Sequence, residues 1–180
     1  MRFHDEVGQT TLARERFELF AESDFARLTF DEEWLVSMGL LAEQATALKD
    51  AERARTLYDL LVPYADRVAT SYSEACTGSV SRYLGLLAAT SSRRELAGRH
   101  FDDAIVMNER IGARPWLAQT QEDYARMLIE GGTERADRSQ ALALLDRAES
   151  TYLDLGMHPH PAVTSSLRVA AMDRRALDGV

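Results

Sequence analysis

The chain has 180 residues, enough for one domain with a sizeable core or for one short superhelical array. It is 46% hydrophobic and 28% charged with a net charge of -8, an ordinary folded composition that excludes generic nucleic-acid affinity, because such affinity needs Lys and Arg to neutralise phosphates. Cys76 is the only cysteine, which excludes an intrachain disulfide and any metal site built on several cysteines.

The basic residues are lopsided: Lys49 is the single lysine among 21 basic residues, which reads as GC-rich bacterial coding and not as an arginine-specific function. The first ten residues are expected to be a flexible N-terminus. They carry no apolar signal region, and no apolar run approaches the roughly 18 residues of a membrane span. A reducing, cytoplasmic setting is the expectation.

In chain order, a first helix is expected over 11–28, carrying Ala13-x3-Phe17-x2-Phe20. Asp31 caps a second that starts near Glu32 and carries Leu41-Ala42-x2-Ala45. The next contains Ala54-x3-Tyr58-x2-Leu61, and Pro63 kinks or ends it. A helix over 76–90 carries Leu84-Gly85-x2-Ala88. Ser92 and Glu95 form a capping box before the helix of Ala97-x3-Phe101-x2-Ala104. Gly112 closes that helix and Pro115 opens its successor, which bears Tyr124-Ala125-x2-Leu128. Gly131-Gly132 is a break. The helix of Ala141-x3-Leu145-x2-Ala148 is closed by Gly156, and Pro159 and Pro161 precede a last helix ending near Leu177. No segment alternates with period two, so no sheet is predicted.

Four Ala-x3-aromatic or leucine motifs recur at steps of 41, 43 and 44 residues. The other motif precedes them by 13 residues in two pairs and by 17 in the third, with the extra residues in the loop Gly131–Arg138, where insertion costs little. A Leu-Gly pair followed by Ala-x3-Phe is the core of the tetratricopeptide helix–turn–helix pattern. The expected fold is therefore all-α: a tetratricopeptide-like right-handed superhelix of about eight helices. It forms one repeat domain over 11–177, with units at 11–30, 32–70, 76–112, 115–155 and 160–177. The array opens on a second-helix pattern and closes on a first-helix pattern, the layout expected of a piece of a longer array.

The segments Arg82-Tyr83-Leu84-Gly85-Leu86-Leu87-Ala88, His100-Phe101 and Gly112-Ala113-Arg114-Pro115-Trp116-Leu117-Ala118-x-Thr120-x2-Asp123-Tyr124-Ala125-Arg126 carry a resemblance. The chain, over roughly Thr11 to Met157, resembles the C-terminal tetratricopeptide-like region of large bacterial AAA/STAND signalling ATPases. Some of these end in a LuxR-type helix-turn-helix, and others are joined to an adenylate or guanylate cyclase. The resemblance implies a region that senses a partner or inducer and controls an ATPase. It carries over neither ATP hydrolysis, cyclase activity nor DNA binding, since the chain has no G-x4-G-K-[ST] phosphate loop and no recognisable helix-turn-helix after Met157.

Candidate chemistry is sparse. His158-Pro159-His160 offers two metal ligands without a third and reads as a polar loop. His100 beside Phe101 reads as a packing or capping histidine, and Cys76 as a small buried thiol. The adjacent acids Asp102-Asp103, Glu32-Glu33 and Asp5-Glu6 diverge by about 100° on a helix and read as solvated faces. No catalytic residue, cofactor or metal is expected. Partner or effector binding is assigned to Arg82, Tyr83, Arg114, Trp116, Gln119, Asp123 and Arg126. Arg114 and Trp116 sit at a helix start, where an anionic or aromatic ligand can be held, but the favoured reading is that Trp116 packs between consecutive repeats with Arg114 over it. Arg82, Gln119, Asp123 and Arg126 are the polar members of an inner face, with buried hydrogen bonding an equal reading for Arg82 and Asp123. The partner is a protein or a small effector, with no nucleic acid and no membrane. The apolar face of helix 11–28 (Leu12, Phe17, Leu19, Phe20) is a candidate homodimer contact.

Overall fold

A computed structural model describes residues 9–72, 75–131, 135–157 and 166–169. The fold is all-α, with one small hairpin among the described residues. In order come α1 (Gln9–Ala21), α2 (Trp34–Leu48), α3 (Ala51–Leu61), a 3-10 turn (Val62–Tyr64), β1 (Val68–Ser71), β2 (Ala75–Ser79), α4 (Val80–Thr90), α5 (Arg94–Arg110), α6 (Arg114–Gly131) and α7 (Arg135–Asp154). The chain divides into two compact units, Met1–Arg93 and Arg94–Val180.

In the first unit, α2 buries Trp34, Met38, Ala42 and Ala45, a stripe at helical spacing. Its end is set by Lys49, which takes a left-handed φ of 55°, while the Asp50 N–H donates to the Ala45 carbonyl at 3.0 Å. The Asp50 carboxylate then accepts from the Arg53 N–H at 3.0 Å and caps α3. One residue thus closes one helix and opens the next, which makes the α2–α3 hairpin tight. α3 buries Ala54, Leu57, Tyr58 and Leu61 and stops where Pro63 enters the 3-10 turn. α4 packs on both α2 and α3, and its nine residues from Val80 to Ala88 are all buried.

In the second unit, α5 buries Ala97, Phe101 and Ala104, and α6 packs against both α5 and α7. The Phe101 and Tyr124 rings stack at 5.3 Å between centroids, joining α5 to α6. Buried Asn108 donates to the Thr120 hydroxyl at 3.1 Å across the same pair. Gly112 (φ 69°) and Gly156 (φ 67°) end α5 and α7 in the left-handed region, each followed by an N–H that reaches back to the last turn (Ala113 to Asn108, Met157 to Tyr152). Ala118, Ala148 and Tyr152 form a shared core between α6 and α7.

Four expectations are corrected. The expected absence of a sheet fails: β1 and β2 pair antiparallel, with a bulge between Val68 and Thr70. Helix 76–90 accordingly begins only at Val80. Partners outside the segment stabilise the hairpin: the Val80 N–H donates to the Arg67 carbonyl (3.0 Å), the Tyr83 hydroxyl to the Thr77 carbonyl (3.1 Å), and the Tyr72 N–H to the Glu33 carboxylate (3.0 Å). The first helix ends at Ala21 and not near residue 28, because Asp24 and Phe25 turn to positive φ. Ser92 does not cap α5. It takes a left-handed φ of 64° as the closing residue of α4, with the Arg93 N–H donating to the Ala88 carbonyl at 2.8 Å. Most of the expected helix 160–177 lies outside the described residues. Within it, residues 166–169 are helical, and Arg168 pairs with Glu149 at 2.7 Å.

Candidate binding surfaces

The sequence-assigned residues fall in both units. Arg82 and Tyr83 belong to α4 of the first unit and are 2% and 3% exposed. The Arg82 guanidinium pairs with Glu43 of α2 at 2.8 Å and lies 5.2 Å from the Tyr83 ring centroid. The Tyr83 ring rests directly on Gly39, where a Cβ would come within 2.7 Å of it. Burial pushes the Tyr83 phenol above its ordinary range, against a lowering pull from Arg82. Both residues therefore serve packing within the unit, which accords with the buried hydrogen-bonding reading of Arg82.

The other five lie on α6. From Trp116 through Gln119 and Asp123 to Arg126 the intervals are three, four and three residues, so these four share one stripe of the helix. Asp123 is buried, whereas Trp116, Gln119 and Arg126 are half-buried. Arg126 pairs with Glu122 one turn away at 2.8 Å. Arg114 is exposed and forms an ion pair with Asp154 at the end of α7, at 2.9 Å. In α1, Phe17 is buried against Phe25 at 5.8 Å between centroids, so it is withdrawn from any contact with a second copy, while Leu19 remains exposed.

A second feature of the second unit was not read from the sequence. α5, α6 and the start of α7 enclose an open cleft of about 360 Å³, lined by Arg94, Gly98, Asp102, Tyr124, Asp137 and Gln140 among others. Arg94 organises it. Its guanidinium donates to the Met127 carbonyl near the end of α6 (2.9 Å) and pairs with Asp137 of α7 (2.8 Å). Gly131 leaves room for it, since a Cβ there would collide with Arg94 Nη1. The Tyr124 hydroxyl accepts from Gln140 Nε2 at 3.2 Å. Burial, reinforced by Asp102, pushes the Tyr124 phenol up, so it is protonated at neutral pH and acts as a hydrogen-bonding group. Burial and then the Asp103 charge push the Asp102 carboxyl up as well. The cleft is shallow and open to solvent. Its only sequence signal is Gly131, a small residue ending a helix, which does not reveal that an arginine 37 positions earlier fills the space beside it.

No protein-family model matches the chain, and no curated protein or solved structure is significantly similar to it.

Cys76 is exposed on β2 of the first unit, contrary to the expectation of a buried thiol, and His100 is buried on α5 of the second. Among the described residues no three His, Cys, Asp or Glu side chains gather as metal ligands. His158 and His160 lie outside them. No described helix is long and apolar enough to cross a membrane.

Proposed function

We propose that the chain is a non-catalytic, tetratricopeptide-like interaction module that acts in the cytoplasm as the sensing region of a bacterial signalling or transcription-regulating ATPase. One observation carries this reading. The repeated positions are core positions: Ala54, Leu61, Ala97, Phe101, Ala104, Ala141, Leu145 and Ala148 are all 0% exposed, and Tyr58 is 7% exposed. The recurrence at a step of about 43 residues therefore describes packing between helices, which leaves the outward faces for recognition. The half-exposed α6 stripe of Trp116, Gln119 and Arg126, with Arg114 beside it, supplies an aromatic and arginines, the residue types that dominate interface energetics.

Affinity capture from a bacterial lysate with the full chain as bait, read by mass spectrometry, tests the reading. A specific protein retained by the parent and lost on Gln119→Arg combined with Arg126→Glu is the expected result. Equal retention by parent and variant, with both folded, contradicts the assignment of the surface. A second reading, a small-molecule effector site, is favoured by the cleft around Tyr124. It predicts ligand-dependent thermal stabilisation that is lost in Tyr124→Phe combined with Gln140→Ala.

A further inference from the structure

The first unit carries an aromatic cluster that packing does not use up. Phe30, Trp34 and Tyr64 meet at centroid separations of 5.1 Å (Phe30–Trp34), 5.2 Å (Trp34–Tyr64) and 6.2 Å (Phe30–Tyr64). Trp34 is buried at the start of α2 and Tyr64 is half-buried in the 3-10 turn, but Phe30 is 70% exposed. A large apolar ring held on two other rings and left open to water is what a binding anchor looks like before it is covered.

The surroundings indicate what covers it. Phe30 is followed by Asp31, Glu32 and Glu33, all exposed, and Tyr64 is followed two residues on by exposed Asp66. The Asp31 carboxylate accepts from the Glu33 N–H, Glu33 accepts from the Tyr72 N–H, and Arg67 lies 3.6 Å from Asp66. Four carboxylates, against the two guanidiniums of exposed Arg27 and Arg67, thus flank in sequence the residues of the aromatic cluster. The rings touch one another, so no cation fits between them as in an aromatic cage. The exposed surface of Phe30 is the part of the cluster left open to a cation.

We propose that this surface docks a basic segment of a partner polypeptide, one of whose arginine or lysine side chains stacks on Phe30 while its neighbours pair with Glu32 and Asp66. The acidic rim repels nucleic acid and anionic lipid. The proposal shares with the preceding section only the idea that the chain binds proteins. Its surface belongs to the first unit, whereas Gln119 and Arg126 belong to the second, so each reading is tested by its own variants and fails alone.

Isothermal titration of the full chain with synthetic octa-arginine at physiological salt tests it, with octa-glutamate as the opposite-charge control. Saturable binding of octa-arginine is expected. Phe30→Ala and Glu32→Arg each weaken it about fivefold or more, the scale of one lost cation–π or charge contact. Glu109→Gln, an exposed acid on α5, changes it less than about twofold, as a general charge effect would. Both test positions are exposed, and circular dichroism checks that the variants fold. Equal affinity for the parent, Phe30→Ala and Glu32→Arg overturns the proposal. So does self-association of the parent in sedimentation that Phe30→Ala abolishes, since the occupant is then a second copy of the chain.

Discussion

Gly39 shows how a single missing methyl group fixes the position of a helix. It lies inside α2, where glycine costs about 1 kcal/mol relative to alanine on propensity alone. Yet the Tyr83 ring occupies the space a side chain would need. Gly39→Ala is therefore expected to destabilise the chain by about 1–3 kcal/mol through overpacking, despite its better helix propensity. A urea melt measures this, and a stabilised variant would mean that Tyr83 is free to move aside. Asp102 is exposed on α5 yet partly desolvated, so its charge works against the fold only weakly, screened by solvent. Its carboxyl is held above the ordinary 3.8, so the folded state binds the proton more tightly than the unfolded one. The carboxyl's contribution to stability is full below that ordinary value and is lost as pH rises through the elevated folded one. Asp102→Asn is thus expected to raise the urea midpoint at pH 7, with the gain shrinking as pH falls toward 4. A gain independent of pH would contradict the burial argument.

At the scale of elements, α2 and α4 are joined by a polar link as well as by packing. Arg82 is almost fully buried, and its carboxylate partner Glu43 is 36% exposed. Glu43→Ala removes that partner and leaves the guanidinium less compensated, so a loss of about 1–3 kcal/mol is expected in thermal or urea unfolding. Such links are not readable from local sequence, because Arg82 and Glu43 are 39 residues apart. The same limit explains the hairpin. The segment 68–79 lacks a clean alternation, and its stabilising bonds come from Glu33, Tyr83 and Val80. What was readable was the spacing of small and aromatic residues, since the core positions of α3, α5 and α7 recur at a constant helical register. Gly112 and Gly156 were readable for the same reason, as helix closure needs a left-handed residue there. Ser92 misled because serine favours the start of a helix, whereas here it adopts the glycine-like geometry that ends one. The candidate site divides in the same way. The α6 stripe follows from helical spacing, but the burial of Arg82 and Tyr83 and the cleft around Tyr124 depend on helices brought together in space.

At the scale of the molecule, the repeated positions form the core of each unit. In the first unit α4 is buried along nine consecutive residues, and in the second α6 is buried from Gln121 through Ala125. Each packs against two other helices of its own unit, α4 on α2 and α3, and α6 on α5 and α7. Among the described residues the hairpin and α1 carry more exposed positions than α4, a mark of segments that open at low cost. Native-state hydrogen exchange on the full chain tests this most directly. The account predicts that the slowest amides lie in α4 and the middle of α6, with β1, β2 and α1 exchanging markedly faster. Exchange in α4 as fast as in the hairpin would contradict it, because the repeated positions would then not be the packing that holds each unit together.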